Sequence, residues 1–106
     1  MIYSPEADIL ARVRRCRGFE WDEGNSEKNL IKHGVTVAEC EGVFEMDPLF
    51  VKHDLAHSQQ EERFCMGGTT REGRLLVVFF TLRDNLVRII SARDMNSKER
   101  RNYGTP

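Results

Sequence analysis

The most constraining feature of this sequence is the run Leu75-Leu76-Val77-Val78-Phe79-Phe80, apolar at every position. A strand shows alternate residues to its two faces, so such a run needs cover on both faces and neighbours on both edges. It predicts the central strand of a sheet. Turn residues bracket it, Glu72-Gly73 before and Asp84-Asn85 after. Beyond those turns lie shorter segments rich in strand formers. The pattern is a β-meander over Arg63–Gly68, Arg74–Leu82 and Leu86–Ala92, with Val51–Asp54 as a candidate edge strand.

The rest of the chain reads as helices around one more strand. Ser4-Pro5-Glu6 starts a helix whose apolar residues Ile9, Leu10 and Val13 recur at helical spacing up to Cys16, before Gly18 stops it. Phe19-Glu20-Trp21-Asp22 alternates as a half-buried strand does. Asn25 or Ser26 caps a second helix that runs to His33 and is closed by Gly34. Thr36 caps a third, with Glu39 completing a capping box, Val37, Cys40, Val43 and Phe44 on its apolar face, and Asp47-Pro48 at its end. Asn96 or Ser97 caps a final helix carrying Lys98, Glu99, Arg100, Arg101 and Tyr103. The order predicts an α+β fold, an antiparallel sheet of about four strands with helices packed on one face.

A chain of 106 residues makes one domain, with little room for a deep pocket, so an active site is expected on a shallow open face. Residues 1–18 read as a helical extension of the unit formed by 19–106. No apolar run approaches the ~20 residues of a membrane span, and no charged start leads into an apolar core, so neither a membrane nor secretion is expected. Cys16, Cys40 and Cys65 are scattered without a CxxC pair, which suits small apolar fillers in a reducing cytoplasm better than a disulfide framework or a zinc site. Net charge is −1, but residues 1–62 carry 7 Lys and Arg against 13 Asp and Glu, whereas residues 63–106 carry 9 against 4. The basic half is either a phosphate-binding footprint or a solvated surface whose field the acidic half cancels by pairing.

Three segments, in order and at sensible separations, carry a family resemblance. The first is Phe19-Glu20-Trp21-Asp22 leading into Asn29-Leu30-Ile31-Lys32-His33-Gly34-Val35. The second is Glu61-Glu62-Arg63-Phe64 with Gly67, then Gly73-Arg74-Leu75-Leu76-Val77-Val78. The third is Val87-Arg88-Ile89-Ile90-Ser91-Ala92-Arg93 followed by Glu99-Arg100-Arg101-Asn102-Tyr103. Over residues 19–103 the chain resembles the BrnT toxins. The resemblance implies a RelE-like fold and a cytoplasmic toxin of a type II toxin–antitoxin pair, an endoribonuclease that blocks translation. It also implies neutralisation by a BrnA-type antitoxin in a heterotetramer, and operator DNA bound only through that antitoxin.

Metal-free RNA cleavage needs a base for the 2′-hydroxyl, a cation for the pentavalent phosphorane and an acid for the leaving 5′-oxygen. Arginine suits the second task, because its fork holds two phosphoryl oxygens and keeps its charge. The catalytic candidates are His33, Arg63, Arg88 and Arg93, with no cofactor and no metal. His33 is either an acid–base group or a cap for the helix carbonyls, and Arg63 and Arg93 are either functional or ordinary surface arginines. The candidates for RNA binding are Trp21, Lys32, Arg83, Arg100, Arg101 and Tyr103; Trp21 either stacks on a base or belongs to the core. Glu62 is either a base or half of a surface ion pair, and His53 with His57 reads as a surface loop.

Strand geometry sorts some of these. A two-residue turn at Asp84-Asn85 pairs Arg83 with Leu86 and Thr81 with Arg88, so Phe79, Thr81, Arg83, Arg88 and Ile90 share a face. Val78, Phe80, Leu82, Val87 and Ile89 form the opposite, more apolar face, the expected core side. Strict alternation puts Arg93, five positions from Arg88, on that core side. Two other classes fit the same residues: a non-catalytic nucleic-acid-binding module, and a subunit whose arginines meet an acidic partner.

Overall fold

Apolar periodicity in the chain resolves into one sheet with helices on both of its sides. The computed structural model describes residues 5–21, 33–57 and 61–104. Its elements are α1 (Pro5–Arg14), β1 (Phe19–Glu20), α2 (Val37–Glu45), β2 (Phe50–His53), a 3-10 turn (Leu55–His57), β3 (Phe64–Thr69), β4 (Leu75–Arg83), β5 (Leu86–Asp94) and α3 (Ser97–Tyr103). The strands lie in the order β1-β5-β4-β3-β2, so the apolar run is the middle strand, as its two apolar faces require. Strands β2 to β5 pair antiparallel, and the candidate edge strand is present as β2. The fifth strand, β1, breaks the antiparallel expectation. It runs parallel to β5, with Phe19 beside Val87 and Glu20 beside Arg88.

Local signals set the ends of the elements. Thr36 Oγ1 accepts from the Glu39 amide at 3.1 Å while Glu39 Oε1 accepts from the Thr36 amide at 3.0 Å, the predicted capping box of α2. Asn96, not Ser97, caps α3 through the same reciprocal pair with Glu99, both bonds at 2.9 Å. Most of the helix expected from Asn25 or Ser26 lies outside the described residues. Its last residue, His33, is helical, and Gly34 follows at φ +64°, the left-handed conformation that closes a helix.

The main core lies between the sheet and helices α1 and α2. Ile9 and Val13 of α1 and Cys40 and Val43 of α2 pack onto Phe64, Met66, Leu76, Val78, Phe80 and Ile89. The helical extension therefore shares the core of the sheet. Each such side chain contributes roughly 1.5–3 kcal/mol by leaving water. Edge-on and tilted contacts join Phe19, Phe44, Phe80 and Phe64 at centroid separations of 5.2 to 5.6 Å. Gly68 lets α2 approach closely, because a Cβ there would stand 2.8 Å from Val43 Cγ1.

Helices on a single face were expected, and here the structure differs. α3 lies across the other face, where Phe50, Cys65, Val77 and Met95 form a second, smaller core with Leu75 and Phe79 packed against it. Phe50 lies over Gly67, whose missing side chain makes the room, and the Tyr103 ring of α3 stands 4.6 Å from the Phe50 ring. The reason is in the run itself. Val77 and Phe79 are as apolar as their alternates, and that face also needs cover. α3 covers one end of it and leaves the other end open.

Candidate functional site

The open end of this face carries a row of charged side chains set by strand pairing. Asp84 and Asn85, at φ 54° and 61°, form a tight two-residue turn of the type favoured in hairpins, and the register follows: Arg83 pairs with Leu86 and Thr81 with Arg88. Arg63 stands one step beyond the Phe64–Phe80 pair, on the other flank of Thr81. Glu20 adjoins Arg88 through the parallel β1 pairing, and Asp54 adjoins Arg63, whose carbonyl accepts from the Asp54 amide at 2.8 Å. The row across the sheet is Asp54, Arg63, Thr81, Arg88, Glu20. Arg63 Nε is 3.9 Å from Asp54 Oδ2, and Arg88 Nη1 is 3.9 Å from Glu20 Oε1.

Arg93 joins the same face, against the prediction from strict alternation. Between Phe80–Ile89 and Phe79–Ser91 the register shifts by one, so Ile90 is an extra residue with no opposite number. A bulge of this kind reverses the alternation beyond it. Ile90 thereby leaves the face it was assigned to, and Arg93 pairs with Val77 on the arginine side. Its guanidinium is held by Glu99 at 2.7 and 3.1 Å and lies 5.6 Å from the Phe79 ring centroid. The fork raises the Arg93 pKa and, chiefly through the Arg93 hydrogen bond, lowers that of Glu99. Arg93 lies about 13 Å along the strands from the Arg63–Arg88 row.

The remaining candidates scatter. Arg83 makes a two-pronged pair with Glu61 at 2.9 to 3.2 Å at the exposed hairpin end. Arg100 Nε donates to the Met95 carbonyl at 2.9 Å, Arg101 is exposed on α3, and Tyr103 is partly exposed over Phe50. Trp21 packs against the main core on the helix side, its indole Nε1 donating to Glu41 Oε2 at 2.8 Å, so it faces away from the arginine row. Lys32 lies outside the described residues, as does the side chain of His57. Glu62 pairs with His53 at 3.2 Å and Arg12 at 3.5 Å.

His33 is not brought to the arginine row. Its carbonyl accepts from Arg74 Nη2 at 3.3 Å, and Arg74 also holds Asp94, which pairs with Leu76 at the far, core-side end of the strands. Arg74 is the hub of that end. It holds Asp94 through Nε and Nη2 at 2.8 and 3.0 Å, Glu39 through Nη1 at 3.0 and 3.2 Å, and the Gly34 carbonyl at 2.8 Å. Sequence reasoning passed over Arg74, because its partners are 20 to 41 residues away. It also passed over Glu20 and Asp54. The alternation Phe19-Glu20-Trp21 marks Glu20 as facing away from the core, but which strand it adjoins is a tertiary matter.

The two halves of opposite charge do pair. Arg63, Arg71, Arg74, Arg83 and Arg88 meet Asp54, Glu45, Glu39, Glu61 and Glu20 respectively. A groove of about 490 Å³ lined by Thr36, Glu39, Gly42, Glu45 and Arg71 lies beside α2, away from the arginine row. Among the described residues no three His, Cys, Asp or Glu side chains are grouped as metal ligands, and no helix is long and apolar enough to cross a membrane.

Fold and face together define a small α+β domain with an arginine-bearing open sheet surface. The chain belongs to the BrnT family: the model of the ribonuclease toxin BrnT of type II toxin–antitoxin systems matches residues 21–99. Among solved structures, the crystal structure of the Brucella abortus ribonuclease toxin BrnT is similar in fold, with a TM-score of 0.55 at 20% identity, covering 76% of this chain and 97% of that one. Comparison with curated proteins finds no match.

Proposed function

We propose that this chain is an endoribonuclease toxin that cleaves RNA on the open sheet face, inhibits translation in the cytoplasm, and is neutralised by a BrnA-type antitoxin. The observation that carries the site is the flanking of Thr81 by Arg63 and Arg88 in one row, with the Ile90 bulge adding Arg93 to that face. In the reaction the 2′-hydroxyl attacks phosphorus, its proton passes to a base, the P–O5′ bond breaks and an acid protonates O5′. Arg63 and Arg88 supply fixed positive charge where the phosphoryl oxygens become more negative, and that charge serves the transition state more than the ground state; Arg93, farther along the strands, offers a contact to the RNA beyond that centre. Glu20 and Asp54, at the two ends of the same row and each 3.9 Å from its arginine, are the candidates for the acid–base groups. His33 and Trp21 lie on the other side and stand outside the proposed centre. The heterotetramer with antitoxin, and operator binding through the antitoxin, belong to the same reading.

Expression of the chain alone in bacteria should arrest growth, and co-expression with the cognate antitoxin should relieve it. Purified chain should cleave RNA in excess EDTA, since arginine provides the charge. Normal growth at confirmed soluble expression, or cleavage abolished by EDTA and restored by one divalent metal, would refute this reading.

A further inference from the structure

Thr81 occupies the middle of the arginine row and is 3% exposed. Among the described residues its Oγ1 is buried without a hydrogen-bond partner. An unmade hydrogen bond on a buried hydroxyl destabilises a fold, and valine would fill the same space without that loss and suits a central strand at least as well. Stability alone therefore does not explain a threonine here. Its position does: the cross-strand neighbours on either side are cations, Arg88 by direct pairing and Arg63 one step past Phe64–Phe80.

We infer that Thr81 is a ligand for a phosphodiester. Its hydroxyl donates to a non-bridging oxygen, and the guanidiniums of Arg63 and Arg88 close the seat from both flanks. The hydroxyl is reached when the arginine side chains, each 25% exposed, part around the incoming group. Asp54 and Glu20, at the two ends of the row, stand 3.9 Å from Arg63 Nε and Arg88 Nη1. A donor fixed on the central strand is placed by the most constrained backbone of the sheet. This inference rests on the reading of the face as the RNA-cleaving site and names the group at its centre.

The test uses Thr81→Val, with Thr81→Ser as the variant that restores the hydroxyl. Thermal melts, binding of an all-2′-deoxy oligonucleotide at fixed low salt, and single-turnover cleavage of the matching RNA are measured on each. The deoxy probe lacks the attacking hydroxyl, so it reports the seat apart from the chemistry. Thr81→Val should melt at or above the wild-type temperature yet lose roughly tenfold in both probe affinity and cleavage, the scale of one hydrogen bond to a charged group. Thr81→Ser should recover most of both. If Thr81→Val binds and cleaves as wild type does, the seat is refuted while the ribonuclease reading stands. If the wild type binds the probe and Thr81→Val weakens it, but no RNA is cut, the seat stands and the ribonuclease reading falls. A Thr81→Val melt well below wild type, restored by serine, would show that the hydroxyl serves the fold, and absence of probe binding by the wild type would equally overturn the seat.

Discussion

Replacing Arg74 by methionine keeps the aliphatic stem and removes the guanidinium that joins four parts of the chain. Lost are two bonds to Asp94, two to Glu39, and those to the Gly34 and His33 carbonyls. The side chains of Arg74, Glu39 and Asp94 are 28%, 25% and 46% exposed, between the surface and buried limits. Fully exposed pairs are worth roughly 0.2–1 kcal/mol, and breaking a buried one costs roughly 3–5 kcal/mol. Two half-exposed pairs plus two carbonyls left to water place Arg74→Met at about 3 kcal/mol. For a domain of this size that lowers Tm by about 15 °C. Lysine at the same position serves one partner at a time and should recover less than half.

The pH dependence of the same variant gives a second check. The Arg74 hydrogen bonds depress the pKa of Asp94, and that of Glu39 is depressed by the Thr36 amide first and by Arg74 next. Carboxylates with depressed folded values stabilise the fold above their ordinary values of 3.8 and 4.5, and lose that contribution as pH falls through the folded values. The Tm gap between wild type and Arg74→Met should therefore be full at pH 7, begin to narrow below about pH 4.5, and shrink in stronger acid to what the two carbonyl bonds contribute. Thermal melts followed by circular dichroism across pH 2 to 7 measure this. A variant melting within about 2 °C of wild type at neutral pH, or a gap that persists unchanged at the acid end, would refute the hub.

Lysine in place of Arg63 or Arg88 keeps charge but loses the fork. RNA affinity should hold while single-turnover cleavage falls on the order of a hundredfold, and exposed Arg71→Lys, in the β3–β4 loop, should change neither. Wild-type cleavage by both would make these arginines surface or structural residues. Alanine at Gly67 would place a methyl group against the Phe50 ring; by the usual scale of overpacking the variant should lose about 2 kcal/mol and unfold at lower urea. An unchanged urea midpoint would mean that Phe50 moves aside freely and that the second core is loosely built.

What the sequence determined by itself was local or periodic. The apolar run fixed the central strand, because no other position in a sheet covers both faces. The Asp84-Asn85 turn fixed the hairpin register, because two residues with positive φ leave one way to pair the flanking strands. The Thr36-Glu39 capping box placed the start of α2, whereas the choice of Asn96 over Ser97 as the cap of α3 came from the structure. What only the tertiary structure decided depends on residues far apart in the chain or on a one-residue irregularity. The parallel docking of β1 brought Glu20 to Arg88, and α3 covered one end of the arginine face through Tyr103 on Phe50 and Glu99 on Arg93. The Ile90 bulge carried Arg93 from the core side to the open side. Periodicity assumes an unbroken ladder, and one inserted residue inverts every prediction beyond it. That is why the arginine face became whole only in the fold, and why Arg74, whose partners come from three separate segments, carried no signal in its own neighbourhood.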